Sequence, residues 1–268
     1  AQGNIATQII TAHPGAGGTL TNRDNTISGY GMLGDGALHL TNAASGTIAA
    51  TSGTLLVDTG AAVVTNAGLM TANNARLQLR GVIDSTGGGT VSATNFGFVA
   101  LDGATLKGGT ITTDAVSSLG PINSGTLDGS ATAGIAAAVT ITAGSQVKVA
   151  AGETLTLKGT LANHGTVTVG GDGVLGGAGE WLNSGKVTLS GGGVLALAEQ
   201  ANPQGNFSTQ IVTGGTLENV NNTIRGYGML GNGALKLLND AGGTIAATSS
   251  TLLVDTGAVA VTNAGLLT

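Results

Sequence analysis

The residues that could carry acid–base, nucleophilic or metal chemistry are few in this chain and far apart. Among 268 residues there are three histidines and no cysteine, and only 9% of the residues are charged. A catalytic site needs several titratable groups that converge. His13 lies in a five-residue insertion, and His164 takes the variable middle position of a turn motif. His39 is replaced by Lys236 in a second copy of its segment. All three are expected to be exposed, with no catalytic or metal role.

Two aspartates occupy matched positions that permit two interpretations. Asp58 and Asp255 each follow Leu-Leu-Val and precede Thr-Gly. Asp-Thr-Gly also suits an aspartic protease, which needs a second such loop facing the first. At the end of a strand, however, Asp more often accepts a hydrogen bond from the turn that follows. Asp35, which is Asn232 in the second copy, indicates the same turn role. We therefore predict turns and no catalytic residue.

Two kinds of glycine-rich stretch resemble ligand-binding loops without meeting their requirements. Gly170–Gly173 and Gly176–Glu180 have the composition of calcium-binding nonapeptides, but those repeat in tandem and this run is a single pass. Gly29–Gly34 and Gly226–Gly231 have the spacing of a dinucleotide loop, but no helix pattern follows to point its N-terminus at a phosphate. Calcium is the less favoured interpretation, and no cofactor is predicted.

The aromatic residues offer one further candidate contact. Tyr30 and Tyr227 recur between glycines at matched positions, which favours a cap over the interior or a stack on a neighbouring turn. Trp181 occurs once and would suit a sugar ring if it were exposed, although partial burial is favoured.

Composition indicates an elongated body with a thin core. There are 49 glycines and 2% aromatic residues, yet 41% of the chain is apolar, so a core of Val, Leu, Ile and Ala can form. The net charge of −5 and nine scattered basic residues argue against a nucleic-acid partner. No apolar run approaches the roughly 20 residues of a membrane span, so no membrane insertion is expected. The absence of cysteine suits a chain that is exported unfolded.

One segment occurs twice. Gly29–Thr71 and Gly226–Thr268 match at a constant offset of 197, with 34 identities in 43 positions. Upstream the offset is 202, because five residues around Ala12–Ala16 are extra in the first copy and mark a loop. We predict one repeat unit over about 1–202 and a partial second copy over 203–268.

A second regularity is the tripeptide Asn-x-Gly followed by β-prone residues. It occurs at Asn66, Asn95, Asn123, Asn163, Asn183 and Asn263, with longer variants at Asn42–Ile48 and Asn239–Ile245. Several consecutive spacings are 20, 24, 28 and 29 residues, each of which suits one turn of a solenoid. Asn tolerates a left-handed backbone and Gly accepts positive φ, so the tripeptide predicts sharp corners. Corners stacked about 4.8 Å apart would let amides bridge from coil to coil.

The segments between the corners alternate aliphatic with polar residues, as in Arg76–Arg80, Thr154–Lys158 and Thr166–Val169. This pattern is typical of a strand with one buried face and one solvent-exposed face. Ala131–Val139 is too short and too glycine-flanked for a helix. Antiparallel hairpins would alternate too, but the recurring corner and the long duplication favour parallel coils. The sequence predicts an all-β, single-stranded parallel β-helix (β-solenoid), right-handed and continuous over 1–268, with about ten coils of roughly 20–29 residues and a length of about 50 Å.

With these corners and Thr-Leu-Thr-Leu strands, essentially the whole chain resembles the β-strand-repeat regions of giant bacterial surface adhesins, the filamentous-haemagglutinin-like and autotransporter-passenger class. The resemblance lies in the overall pattern of strands and corners, and no single motif is diagnostic of a particular protein. It implies export to the surface of a Gram-negative-type cell and a role in attachment, aggregation or biofilm formation. The partners that it implies are neighbouring repeats of the chain and glycans or abiotic surfaces, and it transfers no catalytic residue.

A polysaccharide-active β-helix enzyme, such as a lyase, glycosidase or tailspike-like protein, is the alternative. Such an enzyme would need stacking to gather Asp84, Asp102 and Asp128 on one face. Ice binding by regular threonine rows is a third interpretation, which the uneven coil spacing disfavours. The favoured function is a non-enzymatic, rod-like stalk or spacer of an adhesin, with polar faces available for weak multivalent contact.

Overall fold

The chain folds into strands and turns, as the alternating pattern predicts. The computed structural model describes residues 7–9, 17–131, 137–170, 180–198, 210–212, 215–231 and 233–268. These ranges contain 28 strands and no helix, and therefore no helix that could span a membrane. The centre of Ala131–Val139 and the insertion around Ala12–Ala16 lie outside them.

The strands are β1 (Gln8–Ile9), β2 (Gly18–Asn22), β3 (Thr26–Leu33), β4 (Leu38–Asn42), β5 (Thr47–Asp58), β6 (Val64–Asn66), β7 (Leu69–Asn73), β8 (Arg76–Arg80), β9 (Val82–Asp84), β10 (Thr90–Thr94), β11 (Phe98–Leu101), β12 (Thr105–Lys107), β13 (Thr110–Thr113), β14 (Ser118–Pro121), β15 (Ser124–Gly129), β16 (Val139–Ile141), β17 (Gln146–Val149), β18 (Thr154–Asn163), β19 (Thr166–Val169), β20 (Glu180–Ser190), β21 (Val194–Leu197), β22 (Gln210–Val212), β23 (Thr216–Asn219), β24 (Thr223–Leu230), β25 (Lys236–Asn239), β26 (Thr244–Val254), β27 (Thr262–Asn263) and β28 (Leu266–Leu267).

The strands stack into three parallel ladders, which the chain visits in turn. Ladder 1 includes β2, β4, β6, β9, β12 and β15. Ladder 2 includes β7, β10, β13 and β16, and ladder 3 includes β8, β11, β14, β17, β19 and β21. Long strands bend between ladders: the first half of β5 pairs with β7 and its second half with β8. The result is a β-solenoid of about ten turns, and it confirms the predicted fold class.

Aliphatic side chains stack inside the coils in columns that follow the register. In ladder 3, Leu33, Val57, Leu79 and Leu101 are register partners on consecutive coils, and each is at most 1% exposed. Polar residues that follow them along the strand, such as Asp58, Arg80 and Asp102, are only partly buried, as the alternation predicts. Each buried aliphatic side chain contributes about 1.5–3 kcal/mol by leaving water. In the coils that the structure describes, the interior is therefore a narrow seam filled with aliphatic side chains.

The predicted amide bridges between coils are present and buried. Asn22 donates through Nδ2 to Oδ1 of Asn42 at 2.9 Å, and Asn42 donates in the same way to Asn66 at 2.9 Å. Asn66 ends this amide row by donating to Oγ of Ser85 at 3.1 Å. All four side chains are at most 3% exposed. The row satisfies its own polar groups coil by coil, which is what allows asparagine to lie inside the corner.

The glycine of Asn-x-Gly provides space at Gly68 rather than a left-handed backbone. Gly68 does not have a positive φ, and a Cβ added there would overlap the carbonyl oxygen of Ala43 and lie 2.9 Å from Nδ2 of Asn42. The expected left-handed conformation does occur at Gly185, with φ of 75°, and at Asn95 and Asn123, with φ of 53° and 63°. The sequence prediction treated all these corners as one type and was wrong on this point, because some of the asparagines turn inward to join the amide row.

We expect Gly68→Ala to lower the free energy of unfolding by about 1–3 kcal/mol, because the added methyl group meets backbone atoms that cannot move aside. Chemical denaturation followed by circular dichroism measures the change. Gly87→Ala is the matched control, since a Cβ at Gly87 would make one ordinary contact at 3.6 Å with Ala67. Equal midpoints for the two variants would contradict the close approach at Gly68.

The second copy of the repeat lies one ladder further around the coil. Ladder 3 runs without a break from Leu33 in β3 through Leu79 and Val167 to Ile224 in β24. The counterpart of Ile224 in the first copy is Ile27, which belongs to ladder 2. The offset of 197 residues is therefore not a whole number of coils. Matched faces of the two copies consequently point in different directions.

Candidate functional site

The histidines do not form a site in the part of the chain that the structure describes. His39 and His164 are exposed, as predicted. His13 lies outside the described residues, as do residues 171–179 of the proposed calcium stretch and the side chain of Trp181. Within the described ranges, no three His, Asp or Glu side chains come together in a group that could hold a metal ion.

Asp58 and Asp255 each bond to the turn that follows them, as predicted. Oδ1 of Asp58 accepts the backbone N–H of Gly60 at 3.1 Å, and Oδ1 of Asp255 accepts that of Gly257 at 3.1 Å. The strand end and the turn residue are thus held together by one short side chain. In both copies, the aspartate of Asp-Thr-Gly therefore has the predicted structural role of stabilising the turn.

The other oxygen of Asp58 belongs to an ion-pair row on ladder 3 that the sequence did not reveal. Nη1 of Arg80 lies 3.3 Å from Oδ2 of Asp58 on one neighbouring coil, and Nε lies 2.7 Å from Oδ2 of Asp102 on the other. Gln78 also donates to Asp102, at 2.8 Å. The bond to Asp102, followed by that to Asp58, raises the pKa of Arg80. Both carboxylates are therefore engaged by a fixed cation.

A second row of alternating charge follows ladder 1. Asp84, Lys107, Asp128 and Lys158 are register partners on consecutive coils. Nζ of Lys107 lies 3.9 Å from Oδ2 of Asp84. A cation therefore separates Asp84 from Asp128, while Asp102 is paired with Arg80. A polysaccharide-active site would need Asp84, Asp102 and Asp128 together. Each of them instead lies next to a lysine or an arginine on a neighbouring coil.

One ion pair near the surface includes a carboxylate whose pKa is shifted. Lys186 Nζ lies 2.9 Å from Oε2 of Glu218, which also accepts a hydrogen bond from Thr188 at 2.9 Å. The bond from Lys186, more than that from Thr188, lowers the pKa of Glu218 below its ordinary value of 4.5.

Because the folded-state pKa of Glu218 is depressed, its contribution is complete above about pH 5 and is lost as pH falls through 4.5 and below. We expect Glu218→Gln to remove less than about 1 kcal/mol of stability at pH 7, since Lys186 is largely exposed. At pH 3 we expect a smaller difference from the parent chain, because Glu218 is then protonated in more of the molecules. Urea midpoints at both pH values measure this, and a larger effect at pH 3 would contradict the pairing.

The outer surface of ladder 2 is a regular array of hydroxyl groups, which we call the hydroxyl face. Its threonines are Thr71, Thr90, Thr110, Thr112, Thr140 and Thr142, all partly exposed, and its serine, Ser92, is largely covered. Thr90, Thr110 and Thr140 are register partners although 20 and 30 residues separate them, because the extra residues lie outside the paired strands. Ser92 donates to Thr71 at 2.7 Å. Strands β7, β10, β13 and β16 contain no charged residue.

Such a face can make many weak, neutral hydrogen bonds at fixed spacing. Each hydroxyl both donates and accepts. The individual contacts are weak, but a rigid row presents several at once, so their effects combine.

The two tyrosines follow the sequence prediction only in part. Tyr30 is 59% exposed, so it does not cap the interior, whereas its counterpart Tyr227 is half-buried. A Cβ at Gly53 on the next coil would lie 3.7 Å from Cβ of Tyr30, so Tyr30 does lie against a neighbouring turn. Tyr30 stands on the outer corner between the two halves of β3, flanked by Gly29 and Gly31. The guanidinium of Arg76 lies 5.5 Å from the ring centre of Phe98. Phe96, which the sequence analysis did not single out, is 75% exposed.

The chain was compared with protein-family models, curated protein sequences and solved structures. No protein-family model matches the chain, and no curated protein sequence matches it. Among solved structures, it is similar to the crystal structure of a TibC-catalysed, hyper-glycosylated TibA fragment. The match covers 97% of each chain, with 16% identity and a TM-score of 0.24. A likeness of this TM-score carries no weight for either fold or function.

Proposed function

We propose that this chain is a repetitive, rod-like segment of a secreted or cell-surface bacterial adhesin. It acts as a stalk or spacer and as a multivalent contact surface in attachment, aggregation or biofilm formation. The observation that carries the proposal is the unbroken stacking of three parallel ladders over about ten turns around a filled seam. Backbone hydrogen bonds along the axis resist bending, and each coil supports its neighbours.

The polar groups on the surface support a binding role rather than catalysis. Asp58, Asp84 and Asp102 on ladders 1 and 3 each form an ion pair with Arg80 or Lys107, which supports a structural role for these carboxylates. The hydroxyl face offers repeated neutral contacts. We propose that its partners are glycans or abiotic surfaces, together with neighbouring repeats of the same chain. Neither nucleic acid nor membrane insertion is part of the proposal.

The two repeat copies suit display in more than one direction. Because matched residues lie on different ladders, the outward faces of Gly29–Thr71 and Gly226–Thr268 point in different directions. A contact made by this duplicated segment could therefore be made on two sides of the rod.

Surface display tests the proposal. The chain is fused, once or twice in series, between an outer-membrane anchor and an epitope tag, and attachment of the cells to glycan-coated and bare polystyrene is counted. We expect attachment above that of the anchor alone, and a tag displaced outward by about 48 Å for each added chain. Attachment no greater than with the anchor alone would contradict the proposal. Release of reducing sugar from acidic polysaccharides by the purified chain would favour the enzyme alternative.

A further inference from the structure

The turn at Thr94–Gly97 has a backbone conformation that residues other than glycine rarely adopt. The N–H of Gly97 donates to the carbonyl oxygen of Thr94 at 2.9 Å, and the two central residues, Asn95 and Phe96, have φ of 53° and 63°. These are the features of a type I′ turn, whose second central position strongly favours glycine. A bulky residue there is a conformational outlier. Outliers of this kind concentrate at functional sites.

Burial does not explain why phenylalanine occupies this position. Phe96 is 75% exposed, more than any other large apolar side chain in the described part of the chain. Phe96 therefore neither suits its turn nor contributes to the core. What the position does provide is a ring that projects from the edge of the rod.

Neighbouring coils hold this corner rigidly and surround it with polar oxygens. The N–H of Asn95 donates to Oδ2 of Asp114 at 2.6 Å, and the N–H of Val116 donates to Oδ1 of the same carboxylate at 3.1 Å. On the other side, Nδ2 of Asn95 donates to Oδ1 of Asn73 at 2.8 Å. Val116, on the next coil at the same corner, is 55% exposed. The corner that carries the ring therefore has hydrogen-bonding groups of both neighbouring coils beside it, and an exposed valine lies at the matching corner of the next coil.

We propose that Phe96, together with Asn73, Asn95 and Asp114, binds a pyranose ring of a neutral glycan. The inference rests on the proposed function, for which it names a ligand class. The apolar face of a pyranose can stack on the exposed ring, while its hydroxyls donate to the carboxylate and bond to the amides. A wholly apolar partner would bury the charge of Asp114 without a cation to pair with it. An acidic sugar would bring a second negative charge beside Asp114.

The test uses the whole chain on immobilised neutral oligosaccharides, with sialylated and uronic-acid oligosaccharides as the acidic comparison. Phe96→Gly removes the ring and accepts the turn geometry, so we expect neutral-glycan binding to fall about tenfold. We expect its Tm to rise by about 2 °C, because the strain is relieved. Phe96→Trp should retain binding and show a shift in tryptophan emission on ligand addition. Tyr30→Ala, which removes another exposed aromatic side chain, is the matched control and should bind normally.

Several results would overturn the inference. Equal binding by Phe96→Gly and the parent chain would exclude Phe96 from the site, while attachment in the display experiment could still stand. An equal loss with Tyr30→Ala would indicate general apolar adhesion. Binding of acidic glycans alone, or of none in the panel, would exclude the neutral-glycan site, and a lower Tm for Phe96→Gly would show that the ring stabilises the fold.

Discussion

Replacing Val57 with aspartate is expected to unfold the coils around it. Val57 is fully buried between Leu33 and Leu79 on the adjacent coils. A carboxylate there has no cation or donor within the apolar seam, and the expected loss of stability exceeds about 4 kcal/mol. Because each coil depends on the next, the loss should spread beyond the mutated strand. Thermal melting by circular dichroism, with hydrogen exchange to locate the open coils, measures it.

The effect of Val57→Asp should depend on pH in a definite direction. Burial raises the pKa of an introduced carboxyl group, so the variant should be least stable at neutral pH and should recover in part as pH falls. Thr54→Asp, an exposed position on the same strand, is the matched control, with an expected change within about 0.5 kcal/mol. An unchanged melting curve for Val57→Asp would show that this side chain does not face inward.

Replacing Asn42 with leucine is expected to cost about 2–4 kcal/mol, the second-largest effect. Leucine is similar in size but removes the bonds to Asn22 and Asn66 and the one from Nδ2 to the carbonyl oxygen of Leu69 at 3.2 Å. Buried groups on Asn66 and Leu69 would lose their donor, and each unsatisfied group costs about 1–3 kcal/mol. Urea denaturation of the purified variant measures the loss.

Two control variants test whether the loss of stability comes from the buried amide row or from replacing any asparagine with leucine. Asn73→Leu changes an exposed asparagine and should cost less than about 1 kcal/mol. Asn239→Leu changes the matched residue of the second copy, which bonds to Asn219 and Asn263 at 2.8 Å. Its effect should be smaller than that of Asn42→Leu because Asn263 is exposed. If all three variants lost equal stability, burial of the row would not be what makes it important.

Those parts of the fold that depend on local pattern could be predicted from the sequence. Alternation along Thr166–Val169 showed which side chains face inward, because a strand has a period of two. The spacing of Asn42 and Asn66 indicated one coil, and their amides do bridge neighbouring coils. The turn role of Asp58 also followed from its position at a strand end.

Features that depend on register between coils could not be predicted. Arg80 and Asp102 are 22 residues apart, but coil lengths vary, so the sequence does not show which side chains become neighbours. The uneven coil lengths also suggested that threonines on successive coils would not align. They do align on the hydroxyl face, because the extra residues lie outside the paired strands. The strain at Phe96 was missed because several corner types share the Asn-x-Gly tripeptide, and only backbone geometry distinguishes them.

The central claim is that each coil adds one strand spacing along a single axis, and distances between spin labels test it directly. Thr54 and Thr166 lie five coils apart on ladder 3, and Thr54 and Thr223 lie seven coils apart. The chain has no cysteine, so paired cysteine variants can be labelled without background. Double electron–electron resonance should give backbone separations of about 24 Å and about 34 Å, increasing by about 4.8 Å per coil. Equal distances for the two pairs, or a distance that decreases between five and seven coils, would contradict the solenoid.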